Sequence, residues 1–155
     1  MKTMFRSVKF MVLIFLVIPL AACSGPVTYP AQAIDSSTDV CAKCNMHISD
    51  DQFAVEYITD DGTCEKFDDL GCMIKYINSN NVKPAKIYVR DYISKAWIDG
   101  TTASYVYNPS IHTPMSNGVV SFKTIEEVQN FISENGKGEF MDYNKLLDFF
   151  GPNPT

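Results

Sequence analysis

Two apolar stripes at helical spacing, each set between short strand-like runs, constrain the fold of this chain more than any other feature. The first stripe is Leu70, Met73, Ile74 and Ile77, at i, i+3, i+4 and i+7. It follows two runs, Phe53 to Thr59 and Thr63 to Phe67, that the turn Asp60-Asp61-Gly62 joins as a hairpin. Asp68 or Asp69 supplies the helix cap, Asn80-Asn81 closes the helix, and Lys86 to Tyr92 returns as a third strand. The second stripe is Ile125, Val128, Phe131 and Ile132, opened by a Thr124–Glu127 capping box and closed by Asn135-Gly136. Around it lie the strand-like runs Ala103 to Tyr107, Gly118 to Phe122 and Glu139-Phe140-Met141. Ala96-Trp97-Ile98 is a further short extended piece, and Asp142 to Phe150 is a terminal helix stopped by Gly151-Pro152. The pattern predicts an α+β fold of two ββαβ units with antiparallel or mixed sheets. The first covers residues 39–92, and the second, with the terminal helix, covers 93–155.

The N-terminus reads as an export signal. Lys2, Arg6 and Lys9 precede a short apolar run from Phe10 to Leu20, and the small residues Ala21-Ala22 come directly before Cys23. Leu20-Ala21-Ala22-Cys23 resembles the lipobox of bacterial lipoproteins, so residues 1–22 are expected to be removed and Cys23 to carry the lipid. That places the domain at the cell membrane, lipid-anchored on its extracytoplasmic face. Residues 23–38 contain Pro26 and Pro30 and no apolar period, which predicts a flexible tether. Loss of the leader would take the formal charge from −5 to −8, which argues against nucleic acid as a partner and suggests steering toward a basic acceptor patch.

Chemistry concentrates in Cys41-Ala42-Lys43-Cys44-Asn45-Met46, two thiols and a thioether within six residues. Such donors suit soft ions, Cu(I) above all, although thiolates also bind Zn²⁺. The spacing also admits a thiol-disulfide oxidoreductase dithiol or a structural disulfide. A redox dithiol belongs at a helix N-terminus, where the thiol pKa is lowered, and no helix pattern follows here. Cys64 and Cys72 read as buried thiols, with a disulfide or accessory ligation as alternatives. Thr113-Pro114-Met115 stands in a polar loop that offers a second thioether, and His112 and His47 read as exposed or ambiguous. No Ser-His-Asp order, phosphate loop or zinc-protease motif is present, so no catalytic constellation emerges.

Taken in order, Cys23, the Cys41–Met46 segment, Phe67-Asp68-Asp69-Leu70-Gly71-Cys72-Met73, Tyr88-Val89-Arg90-Asp91-Tyr92 with Trp97, and Thr113-Pro114-Met115 resemble the NosL family. These are copper-binding lipoproteins that assist assembly of nitrous oxide reductase. The resemblance implies a non-enzymatic Cu(I) chaperone whose partner is the reductase or its membrane assembly complex. It implies metal ligation by Cys44, Met46 and Met115, with Cys41 as a further ligand. Family members usually carry Gly where this chain has Asn45, a residue that tolerates left-handed backbone better than other non-glycines.

Overall fold

A computed structural model describes residues 27–151. The expected signal peptide and Cys23, the residue expected to carry the lipid, lie outside the described residues. The chain runs β1 (Val55–Ile58), β2 (Cys64–Phe67), α1 (Leu70–Asn80), β3 (Lys86–Arg90), β4 (Trp97–Asp99), β5 (Ser104–Tyr107), β6 (Val119–Phe122), α2 (Ile125–Asn135), β7 (Glu139–Met141) and α3 (Tyr143–Phe149).

Strands pair as β2-β1-β3-β4 and as β6-β5-β7, antiparallel throughout. The unit β1β2α1β3 and the unit β5β6α2β7 therefore share one topology, each with its first strand in the middle. This is the α+β arrangement of two ββαβ units that the pattern predicts. Trp97–Asp99 differs from its expected place: sequence division at residue 93 puts it in the second unit, whereas β4 pairs with β3 and extends the first sheet.

Local signals explain the helices. Asp69, not Asp68, caps α1, accepting the Cys72 amide at 2.9 Å. Asn81 closes α1 in the left-handed region at φ 50°. Thr124 and Glu127 form the reciprocal capping box of α2, and Gly136 ends it at φ 72°. The α1 stripe is buried, and Tyr76 on the same helix packs on Tyr57 and Phe67 of the first sheet. Truncating a fully buried member such as Ile74 to Ala would cost about 2–5 kcal/mol.

One core joins the two units. Met73, Ile74, Val89, Tyr105, Val119, Met141, Leu146 and Phe150 belong to a continuous buried cluster, and a smaller one gathers Val106, Val120, Phe122 and Val128 beneath α2. The seam between sheets is tied by Asp91, which is buried. Its carboxylate accepts the amides of Ser94 at 2.7 Å and Lys123 at 3.1 Å, while the Tyr92 amide donates to the Ser121 carbonyl at 2.8 Å.

Residues 29–33 do not behave as the free tether that composition suggests. They strap across the face of the first sheet opposite α1. Tyr88 donates its hydroxyl to the Tyr29 carbonyl at 2.8 Å, and Trp97 donates its indole N–H to the Gln32 carbonyl at 3.1 Å. Lys66 Nζ reaches the Ala33 carbonyl at 2.8 Å, and the Gln32 amide donates to Glu56 Oε1 at 2.8 Å. The strap leaves Glu56 with no exposed surface. Burial pushes its carboxyl up, while the Gln32 amide and the Cys64 thiol partly offset that. Among the described residues, no helix is long and apolar enough to cross a membrane.

Candidate metal centre

The segment Cys41–Met46 folds as a tight hairpin. Val40 and His47 bridge at its base, the Cys41 amide donates to the Met46 carbonyl at 2.8 Å, and the Asn45 amide donates to the Cys41 carbonyl at 2.9 Å. Asn45 sits at φ 59°, the left-handed conformation that a Gly at this place would adopt without strain. A further bond, Ala42 amide to Lys66 carbonyl at 3.0 Å, lays the hairpin along the edge of β2. The hairpin tip therefore meets the chain where β2 ends and α1 begins.

That junction supplies the remaining donors. Asp68 directly follows β2, and Cys72 occupies the first turn of α1. The ligand atoms of Cys41, Cys44, Asp68 and Cys72 all lie within 4.8 Å of one another. Cys44 donates its thiol to Asp68 Oδ2 at 3.3 Å. The other oxygen, Asp68 Oδ1, is buried and has no hydrogen-bond partner. An unpartnered carboxylate oxygen is costly in a buried site, and a cation there would satisfy it. Cys41, Cys44, Cys64 and Cys72 are all free thiols.

Electrostatics favour one thiolate, on Cys41. Its pKa is held down to about 6, first by a hydrogen bond from the Cys72 thiol and further by the amides of Cys44, Asp68 and Lys43, against its burial. Burial pushes Cys44 up to about 11. Cys72 is pushed up as well, first because its proton is engaged by Cys41. A soft cation entering the cluster would meet one ready thiolate and displace protons from the other two.

The two predicted thioether residues are tied by their backbones to residues of, or next to, this cluster: the Met46 carbonyl to the Cys41 amide, and the Met115 amide to Asp69. Met46 follows Cys44 on the hairpin and is 48% exposed. Met115 is brought in by a clasp. Asp69 Oδ2 accepts the Met115 amide at 3.1 Å, the Thr113 hydroxyl at 3.3 Å and the Asn117 side-chain amide at 2.9 Å. Gly71 makes the close approach possible, because a Cβ there would stand 2.1 Å from Asn117 Nδ2. The Thr113–Asn117 loop is thereby fixed to the N-terminus of α1, with Met115 39% exposed.

Of the residues named from sequence, Cys41 and Cys44 lie in the cluster, and the backbones of Met46 and Met115 are hydrogen-bonded to Cys41 and Asp69. His47 and His112 are exposed and outside it. Cys72 and Asp68 are the further members: the sequence reads Cys72 first as a buried thiol, with accessory ligation as an alternative, and Asp68 as a cap. Their spacing of four across a helix start was the available signal. Cys64 belongs elsewhere: it points to the strap side of the sheet, its thiol 3.5 Å from Glu56 Oε2 and pushed up to about 12 by burial and that carboxylate.

Fold and cluster together define a two-sheet α+β protein with a sulfur-rich site able to hold a soft metal ion. The family model for NosL matches residues 32–148, and the chain belongs to the NosL family. No curated protein sequence matches it. Among solved structures it is similar to the copper chaperone NosL from Shewanella denitrificans, with a TM-score of 0.65 and 23% identity over 76% of this chain and 96% of that one. At that identity the likeness establishes the shared fold.

Proposed function

We propose that this chain is a Cu(I) carrier, anchored through Cys23 on the extracytoplasmic face of the cell membrane, that supplies copper for assembly of nitrous oxide reductase. The observation that carries the reading is the convergence of the ligand atoms of Cys41, Cys44, Cys72 and Asp68 within 4.8 Å of one another. Membership of the NosL family and the likeness to a protein described as a copper chaperone support the choice of copper.

The chemistry follows from the donor set. Cu(I) is a soft ion that accepts low coordination by thiolate and thioether sulfur. Cys41 and Cys44 hold it from the hairpin, Met46 and Met115 supply exchangeable thioethers, and Cys72 from α1 with Asp68 from the end of β2 backs it. Exposed thioethers can be replaced one at a time by ligands of an acceptor, so the cargo passes through shared-ligand states without ever being hydrated. The chain binds and hands over its cargo and performs no turnover chemistry. A dithiol oxidoreductase gains no support, since the Cys41–Cys44 pair lies on a turn with a third thiol and a carboxylate at hand.

A competition titration with a Cu(I) chelator under reducing conditions tests the reading. One Cu(I) should be retained per chain, Cys44→Ser should abolish tight binding, and Met115→Leu should weaken it. Unchanged affinity in the Cys44 variant would remove that ligand, and failure of the wild type to retain copper would remove the function. Anchoring is checked separately by labelled palmitate, which a Cys23→Ala chain should not incorporate. In cells producing the reductase, loss of this protein should leave that enzyme short of copper.

A further inference from the structure

At the metal-bearing end, Lys43 and Lys75 present exposed charge of the opposite sign to the net charge of the chain. Between residues 40 and 49, and again between 108 and 123, the chain has no exposed carboxylate because it has no Asp or Glu at all. The single charged side chain of α1 is Lys75. Lys43 at the hairpin tip and Lys75 on α1 are both exposed, and with Asn78, Ser79, Phe150 and Gly151 they line a hollow of about 330 Å³.

Among the described residues neither lysine has a salt-bridge partner. Lys75 Nζ lies 3.3 Å from Asn117 Oδ1 and 5.4 Å above the Phe150 ring. The ion pairs among the described residues are elsewhere, at Lys66–Asp39, Lys86–Asp99, Arg90–Asp51 and Lys145–Glu139. The acids nearest in sequence are turned to other work. Asp68 and Asp69 are buried, and Asp39 and Asp50 fall below the Val40–His47 bridge at the base of the hairpin. Neither Glu65 nor Asp148 lines the hollow; Asp148 borders the adjoining one with Lys83, the two sharing Asn78 and Gly151.

We infer that this end is a docking face for a protein partner whose own surface is acidic, with carboxylates set around a soft metal-binding group. Net charge alone points the other way, toward a basic partner. At close range, however, the exposed charges nearest the contact decide over a Debye length of about 8 Å, and the charged side chains that line this hollow are Lys43 and Lys75. Met46 and Met115 give the same face its apolar centre, and the hollow between the lysines offers a recess for a carboxylate side chain. The recess and the thioether centre favour a shaped protein surface over an anionic bilayer. The inference rests on the Cu(I)-carrier reading only for the identity of the group at the partner's centre.

The test uses two reduced peptides with the same Met-Gly-Cys-Gly-Cys core, one flanked by glutamates and the other by lysines. Each is titrated into the metal-free protein at low and high salt and followed by backbone amide shifts. The glutamate peptide should bind about tenfold tighter than the lysine peptide at low salt, with the advantage shrinking as salt rises. Shifts should centre on Lys43, Met46, Lys75 and Met115. Lys43→Glu with Lys75→Glu should invert the preference, and the milder Lys43→Gln with Lys75→Gln should erase it if the charge reversal perturbs folding. Equal or better binding of the lysine peptide, shifts on another surface, or binding to phosphatidylglycerol vesicles in place of either peptide would overturn the inference. Failure of the carrier reading would show separately, as loss of Cu(I) to a chelator in the absence of any peptide.

Discussion

The carboxylate of Asp69 accepts the backbone amide of Met115 at 3.1 Å, 46 residues further along the chain. The same side chain caps α1 through the Cys72 amide. One residue therefore fixes both the helix start that carries Cys72 and the loop that carries Met115.

Separating these two duties of Asp69 gives the first prediction. Asp69→Ala removes cap and clasp together and should lower unfolding free energy by about 2–4 kcal/mol, read from urea titration. Asp69→Asn retains an oxygen for the cap but replaces one acceptor with an amide that repels the Met115 N–H. It should lose less stability and yet weaken Cu(I) retention nearly as much. Equal copper affinity in Asp69→Asn and wild type would show that the clasp does not serve the site.

Gly71→Ala isolates the loop further. The added methyl occupies the place of the Asn117 side-chain amide, which would stand 2.1 Å from it. Asn117 must swing away and surrender its bonds to Asp69. Amide exchange across residues 113–118 should quicken markedly, while α1, which gains helix propensity from Ala, keeps its protection.

The cluster predicts unlike fates for the two cysteines that sequence reading treated alike. Cys72→Ser should weaken Cu(I) binding tenfold or more, about 1.4 kcal/mol. Cys64→Ser, on the strap side of the sheet, should leave it within about twofold. Chelator competition on the two variants decides, and similar losses would remove Cys72 from the ligand set.

Stability of the metal-free, reduced protein should depend on pH in two opposed ways. Cys41, lowered to about 6 in the fold from 9.0, contributes stability that is fully present above 9 and lost as pH falls through 6. Cys44, raised to about 11, contributes stability that is present below 9 and lost as pH rises through 11. Unfolding free energy should thus climb between pH 6 and 9 and decline from 9 to 11. Ultraviolet absorbance of thiolate should show a group titrating near 6 that vanishes in Cys41→Ser.

Sequence periodicity carried much of this architecture. The α1 and α2 stripes, the Thr124–Glu127 box and the Asp60–Gly62 turn are local signals, and the elements they predict are present. The strap over the first sheet gave no such signal, because most of what it contributes is backbone: apart from the Tyr29 hydroxyl, which donates to the Asp60 carbonyl, these are the carbonyls of Tyr29, Gln32 and Ala33 and the amide of Gln32. Backbone groups are the same at every position. The partners that hold them, Tyr88, Trp97 and Lys66, looked like ordinary strand residues with polar tips. Cys72 reads first as a buried thiol and only second as an accessory ligand for a related reason, since its neighbours Cys41 and Cys44 come from a hairpin that only tertiary packing brings to the helix.

With Cys23 as the proposed lipid-bearing residue, the strap resets how far this domain can wander. A leash running to residue 38 would allow a reach of about 50 Å, whereas one that ends at Tyr29 allows about 21 Å. Such a domain works close above the lipid headgroups, where only partners of similarly low stature, or ones embedded in the bilayer itself, come within its range.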